Sequence, residues 1–181
     1  MPECAVPSRR FNVLFLCTGN SARSIMAECL LNRWGDERFK GFSAGSHPRG
    51  EIHPMALAFL RQHGYETACL RSKSWDEFAE PDSPRLDFVL TVCDNAAGEV
   101  CPFWPGQPIT AHWSIEDPAA FAGPEESRRA AFQRAYLELE DLIRRFISLP
   151  IDSLDRDGIA RRAAEIGETR ATVTSDHDRE R

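Results

Sequence analysis

Short apolar runs recur along the first two thirds of the chain, and each gives way to small or polar residues. Residues 11–16, FNVLFL, predict a strand buried on both faces, as in a parallel sheet. The small, polar stretch CTGNSAR follows, and Ser24 to Trp34 then places Ile25, Met26, Cys29 and Leu30 at helical spacing. Arg38 to Ser43 alternates like a second strand, with Ala44, Gly45 and Ser46 as a break. Pro54 to His63 predicts a helix with proline in its first turn and Gly64 just past its end. Leu86 to Val92 predicts a third, buried strand and Ile109 to Trp113 a weaker fourth. Pro124 opens a long helix whose apolar face is Phe132, Tyr136, Leu139, Leu142, Ile143 and Phe146. Glu125 and Glu126 near its start and Arg144 and Arg145 near its end suit the helix dipole.

Strands alternating with helices predict an α/β fold with a parallel sheet. Pro150 ends the compact pattern, and nearly half of the residues beyond it are charged. Residues 153–168 have the pattern of a weak helix and 169–181 that of a disordered tail. There are no internal repeats.

Composition narrows the class. The chain has 181 residues, 42% apolar and 28% charged, enough for one packed domain. The net charge of −6 argues against a general nucleic-acid binder while leaving room for a local anion pocket. No window approaches the roughly 18 apolar residues of a membrane span, and MPECAVPSRR lacks the apolar core of a signal peptide. The expected location is the cytoplasm. Six cysteines, Cys4, Cys17, Cys29, Cys69, Cys93 and Cys101, form no CxxC pair and complete no zinc spacing. In a reducing compartment they are expected as free thiols, any disulfide being transient.

The loop after the first strand carries the chemistry. Cys17 and Arg23 are separated by five residues, and Ser24 follows. A strand-to-helix loop turns backbone N–H groups toward an anion. Arg23 adds a planar fork suited to two oxygens of a tetrahedral oxyanion. Cys17 at the bottom of that cradle is expected to have a favoured thiolate, with Ser24 as a hydrogen-bond donor to it. The competing reading is a buried strand-end thiol and a surface arginine, and placement between strand and helix favours the first. No G-x4-G-K-[ST] is present, so the loop is not a nucleotide P-loop. Asp117, in IEDPA after the fourth strand, reads either as a turn opener or as a general acid, because loops beyond strand C-termini line one crevice.

VLFLCTGNSARS at one end and EDPAA at the other resemble the low-molecular-weight protein tyrosine phosphatase superfamily over roughly residues 11–148, leaving 149–181 as a charged extension. The resemblance implies a single domain with a four-stranded parallel sheet flanked by helices. It implies Cys17 as nucleophile, Arg23 as oxyanion binder and Asp117 as acid. The oxyanion loop is then Thr18, Gly19, Asn20, Ser21, Ala22, Arg23 and Ser24, with Asn20 holding its shape.

Two chemistries compete within that superfamily. The phosphatases typically carry a second cysteine just before the arginine, where this chain has Ala22, and aromatic residues soon after the Asp-Pro, where it has Ala119 and Ala120. TVCDNAAGEVCPFWPG, starting at Thr91, instead resembles the redox segment of the related arsenate reductases. That likeness implies reduction of arsenate to arsenite for arsenic detoxification, through a Cys17–Cys93 disulfide passed to Cys101. It implies no tightly bound cofactor, and an external reductant: thioredoxin, glutaredoxin with glutathione, or a mycothiol system. Hydrolysis of phosphate monoesters and a non-enzymatic oxyanion-binding module are the alternatives. Some thioredoxin-linked members bind potassium near the loop. Asn20, Glu28 and Ser43 match three ligand positions, but Ser72, Lys73 and Ser74 stand where an aspartate is expected, so no metal is assigned. Cys29 is expected in the core, and His112 as a packed or solvated histidine.

Overall fold

The first strand, β1 (Phe11–Cys17), is the centre of the architecture. It pairs in parallel with β2 (Phe39–Gly45) on one side and β3 (Phe88–Thr91) on the other, and β4 (Ile109–His112) adds beyond β3. The order is β2-β1-β3-β4, so β1 and β3 are neighbours. This computed structural model describes residues 9–169. The expectations for Cys4 and for disorder after Thr169 lie outside the described residues. Among the described residues no helix is long and apolar enough to cross a membrane.

Side chains of β1 alternate between two apolar layers, as strand geometry requires. Val13 and Phe15 join the larger core with α1 (Arg23–Trp34) and α4 (Glu125–Ile147). Leu14 and Leu16 face a smaller one with Trp75, Phe78 and Trp104. Both faces of the strand are covered, which is why its sequence is continuously apolar. Phe146 of α4 anchors the larger layer, its ring centroid 5.0 Å from that of Phe88 and 5.7 Å from that of Trp113. The remaining helices are α2 (Pro54–Gln62), against α4, the short α3 (Asp94–Ala97) and α5 (Arg156–Glu168).

Two boundaries differ from the sequence pattern. β2 continues through Ala44 and Gly45, because Cys17 pairs in register with Gly45. Packing also continues past Pro150. Asp155 caps α5 by accepting from the Gly158 N–H at 2.8 Å, and Ile159, Ala163 and Ile166 are buried against the sheet. Trp113 donates its indole N–H to the Ala163 carbonyl at 3.0 Å. The charges of this segment lie on one side of a helix whose other side closes the β4 edge.

Gly167 fixes how closely α5 approaches. A Cβ there would stand 2.5 Å from the His112 carbonyl oxygen and 2.8 Å from Trp113 Cδ1. Gly167→Ala is therefore expected to cost about 1–3 kcal/mol, the usual scale of overpacking, as a lower urea midpoint with an unchanged slope. An unchanged midpoint would contradict this packing.

Candidate active site

Cys17 ends β1 and is buried. The chain then crosses the end of β2 before entering α1 at Arg23. Gly45 makes that crossing possible, since a Cβ there would meet the Thr18 oxygen at 2.5 Å and the Asn20 nitrogen at 2.9 Å. Asn20 takes the left-handed conformation (φ 43°), which asparagine tolerates better than most residues. Its backbone N–H donates to Cys17 Sγ at 3.2 Å, and its side-chain amide donates to Ser24 Oγ at 2.8 Å. Its Oδ1 accepts from the Lys73 N–H at 2.9 Å. Ser24 Oγ lies 2.9 Å from Cys17 Sγ. Because Asn20 already donates to the serine oxygen, the serine proton is free to point at sulfur.

The segment after β2 lines the outside of this loop. The N–H groups of His47, Arg49 and His53 donate to the carbonyls of Thr18, Gly19 and Ser21 at 2.9, 3.0 and 2.9 Å. With those carbonyls engaged outward, the loop offers N–H groups to an anion. Arg23 donates to the Ile115 carbonyl at 2.9 Å and pairs with Asp117 at 3.2 Å. The loops after β1 and β4 thus meet. Asp117 also caps a short 3-10 turn by accepting from the Ala119 N–H at 3.0 Å, so its turn-opening and site positions coincide.

A cavity of about 200 Å³ is bounded by Cys17, Thr18, Gly19, Ser21, Ala22 and Arg23, with His47, Arg49, Asn95 and Asp117 completing its wall. A larger cleft of about 630 Å³ shares Arg23, Asn95 and Asp117 and reaches Cys93. Arg49, His47 and Asn95 were not among the sequence candidates. The signal for Arg49 was its place just beyond a strand C-terminus, where α/β proteins gather ligand groups.

The electrostatics of Cys17 correct one expectation. Burial pushes its thiol up from the ordinary value, the Ser24 hydroxyl and amide pull it down, Cys93 raises it and Arg23 lowers it. The net direction is upward, not toward a favoured thiolate. The sulfur is deeply buried, and the Arg23 charge is shared with Asp117.

Cys93 lies at the N-terminus of α3, buried, its sulfur accepting from the Ala96 N–H at 3.4 Å. It is 3.6 Å from Thr18 Oγ1, which brings it to the Cys17 loop. Cys101 is not brought there. It is exposed, and its thiol donates to the Glu99 carbonyl at 3.8 Å. His47 Nδ1 stands 3.7 Å from Glu99 Oε2, tying the Cys101 loop to the wall of the cavity. Cys29 is in the core, where burial lifts its thiol to about 12. His112 is neither simply packed nor simply solvated: it bridges Thr91 Oγ1 at 2.8 Å and Asp94 Oδ1 at 2.9 Å.

Ser24→Ala removes the donor that pulls the Cys17 thiol down. The thiol then titrates higher still, and at pH 7 less thiolate is present. A rise of one unit corresponds to about tenfold slower alkylation at pH 7, converging at high pH. Peptide-resolved iodoacetamide kinetics on Cys17 measure this. Equal rates at every pH would show that Ser24 does not act on the sulfur.

Comparison with known proteins follows the same outline. The family model for low molecular weight phosphotyrosine protein phosphatase matches residues 12–160. An arsenate reductase of Bacillus licheniformis is 36% identical over 135 residues, covering 74% of this chain and 93% of that protein. One from Bacillus subtilis (strain 168) is 33% identical over 134 residues, with the same coverage of 74% and 93%. The solved structure of a thioredoxin-dependent arsenate reductase from Corynebacterium glutamicum is 28% identical with a TM-score of 0.54, covering 77% of this chain and 61% of that longer one. A fold, a Cys17 loop and a matched span of this extent have one reading: the chain belongs to the low molecular weight phosphotyrosine protein phosphatase family, and within it to the arsenate reductases.

Proposed function

We propose that this chain reduces arsenate to arsenite for arsenic detoxification, with Cys17 as the nucleophile and Cys93 and Cys101 as a disulfide relay. The observation that carries the reading is the position of the Cys93 sulfur, 3.6 Å from Thr18 Oγ1 in the Cys17 loop. A phosphatase needs water for its second step, whereas a reductase needs a second thiol at that place.

The Cys17 thiolate attacks arsenic, held by Arg23 and by those N–H groups of the loop that are not already turned to the sulfur, as the Asn20 N–H is. An As–O bond breaks, and Asp117 gives its proton to the departing oxygen, which leaves as water. The Cys93 thiolate then attacks Cys17 Sγ. The electrons of the S–As bond stay with arsenic, which leaves as arsenite, and a Cys17–Cys93 disulfide remains. The Cys101 thiolate attacks Cys93 Sγ and expels the Cys17 thiolate. The Cys93–Cys101 disulfide is reduced by an external dithiol, for which a thioredoxin is our choice because the Corynebacterium glutamicum relative is a thioredoxin-dependent arsenate reductase. Glutaredoxin with glutathione, or a mycothiol system, would perform the same exchange. We place the reaction in the cytoplasm, where thiols are kept reduced. Arg49 is positioned to help hold the anion.

Phosphate-monoester hydrolysis is the second reading, supported by the family match and by Cys17, Arg23 and Asp117 alone. Kinetics of Cys93→Ser separate the two. The variant is expected to lose multiple turnovers of arsenate while keeping weak hydrolysis of an aryl phosphate. Cys17→Ser is expected to lose both. Undiminished arsenate turnover by Cys93→Ser would overturn the relay.

A further inference from the structure

Behind the nucleophile loop lies a buried polar cluster that the chemistry above does not use. Glu28 comes from α1, Ser43 from β2 and Lys73 from the segment before the Trp75–Phe78 turn. Ser43 donates to Glu28 Oε2 at 2.5 Å, and Lys73 Nζ stands 3.9 Å from the same oxygen. Only 10% of the Lys73 side chain and 17% of the Glu28 side chain are exposed. Lys73 Nζ also donates to the Arg71 carbonyl at 3.2 Å. Burial pulls the ammonium's pKa down, and Glu28 opposes it.

The same segment is stitched to the loop by its backbone. The Lys73 N–H donates to Asn20 Oδ1 at 2.9 Å, and its carbonyl accepts from the Gly45 N–H at 2.9 Å. Ser72 Oγ donates to the Gly19 carbonyl at 3.3 Å. Asn20 in turn donates to Ser24, which contacts Cys17. Lys73 is therefore two side chains away from the nucleophilic sulfur.

Asn20, Glu28 and Ser43 match three potassium-ligand positions of some family members, and in this structure they do not fit such an ion. The Ser43 proton is directed at Glu28, Asn20 Oδ1 is taken by a backbone N–H, and the charge facing Glu28 is the Lys73 ammonium. Two full cations beside one carboxylate in a site this dry would repel each other. We infer that Lys73 is a tethered cation that replaces a free monovalent ion, and that it is a positioning residue for the Cys17 loop. Its ammonium balances Glu28, which fixes the segment whose backbone holds Asn20.

This inference has a signature that a merely space-filling lysine lacks. Lys73→Ala removes the charge and opens room beside Glu28, so a potassium ion is expected to substitute. In sodium buffer the first-turnover release of arsenite should fall about tenfold in Lys73→Ala. Potassium at equal ionic strength should restore it, saturably, to within about twofold of the wild type. The thermal midpoint of the variant should rise with potassium, as for any ligand that binds only the folded state. Tetramethylammonium, too large for the space, should do neither. Lys73→Met fills the space without charge and should stay slow in every salt. The wild type should be equally fast and equally stable in potassium and sodium.

A saturable, potassium-specific response of the wild type would overturn the inference. So would a Lys73→Ala variant with the wild-type rate in sodium, or an impaired one that answers to no cation. A variant that folds only with potassium would support it, and one that folds in no salt would overturn it. The rate readout rests on the proposed reduction of arsenate, but the midpoint does not. A wild type that makes no arsenite would defeat that function and leave the midpoint to decide the role of Lys73.

Discussion

The parallel pairing of β1 with β3 is the constraint on which the rest depends. Leu16 is paired with Thr91, and the Val92 N–H donates to the Leu16 carbonyl at 2.8 Å. The chain therefore leaves β1 at Cys17 and leaves β3 within two residues of Cys93, on the same edge of the sheet. Parallel strands end at the same edge, so a one-residue slip would turn one of the two sulfurs to the other face. That register is held from both sides by apolar layers, with Phe15 and Leu90 on one and Leu14 and Val89 on the other. The hydrophobic effect thus places the two thiols, which are themselves buried at the margin of the larger layer.

The loop itself is shaped by polar bonds rather than by packing. Asn20 is fully buried and uses both ends of its amide and its backbone N–H on the loop and its surroundings. A buried amide left partly unpaired is costly, so this conformation is strongly specified. The left-handed turn at Asn20 and the missing side chain at Gly45 are what allow the chain to cross β2 at such short range. Arg23 links this rigid loop to the one that carries Asp117.

Much of this was legible in the sequence, and the exceptions have physical causes. FNVLFL and LDFVLTV announced buried strands because strands covered on both faces must be apolar throughout. The Cys17-to-Arg23 spacing pointed to an anion loop through its place between a strand and a helix, since the bare spacing also suits a buried thiol and a surface arginine. The helix pattern over 153–168 was readable, but its packing against the sheet was hidden because charge dominates its composition. Only Ile159, Ala163 and Ile166 reveal the buried side, and the need for Gly167 appears only once α5 touches β4. Lys73 was illegible for another reason: Ser-Lys-Ser reads as solvated loop, and its burial is produced entirely by elements distant in sequence. The upward direction at Cys17 was missed because burial is a property of the whole fold, whereas the N–H groups and Arg23 are visible locally.

The central claim is that β1–β3 pairing makes Cys17 and Cys93 reaction partners. Its most direct test is to treat the fully reduced protein with one equivalent of arsenate, quench with an alkylating agent and map disulfides by mass spectrometry over time. The account predicts a Cys17–Cys93 disulfide first and a Cys93–Cys101 disulfide after it, with one arsenite per disulfide. Release of arsenite with Cys93 still fully alkylated would contradict it.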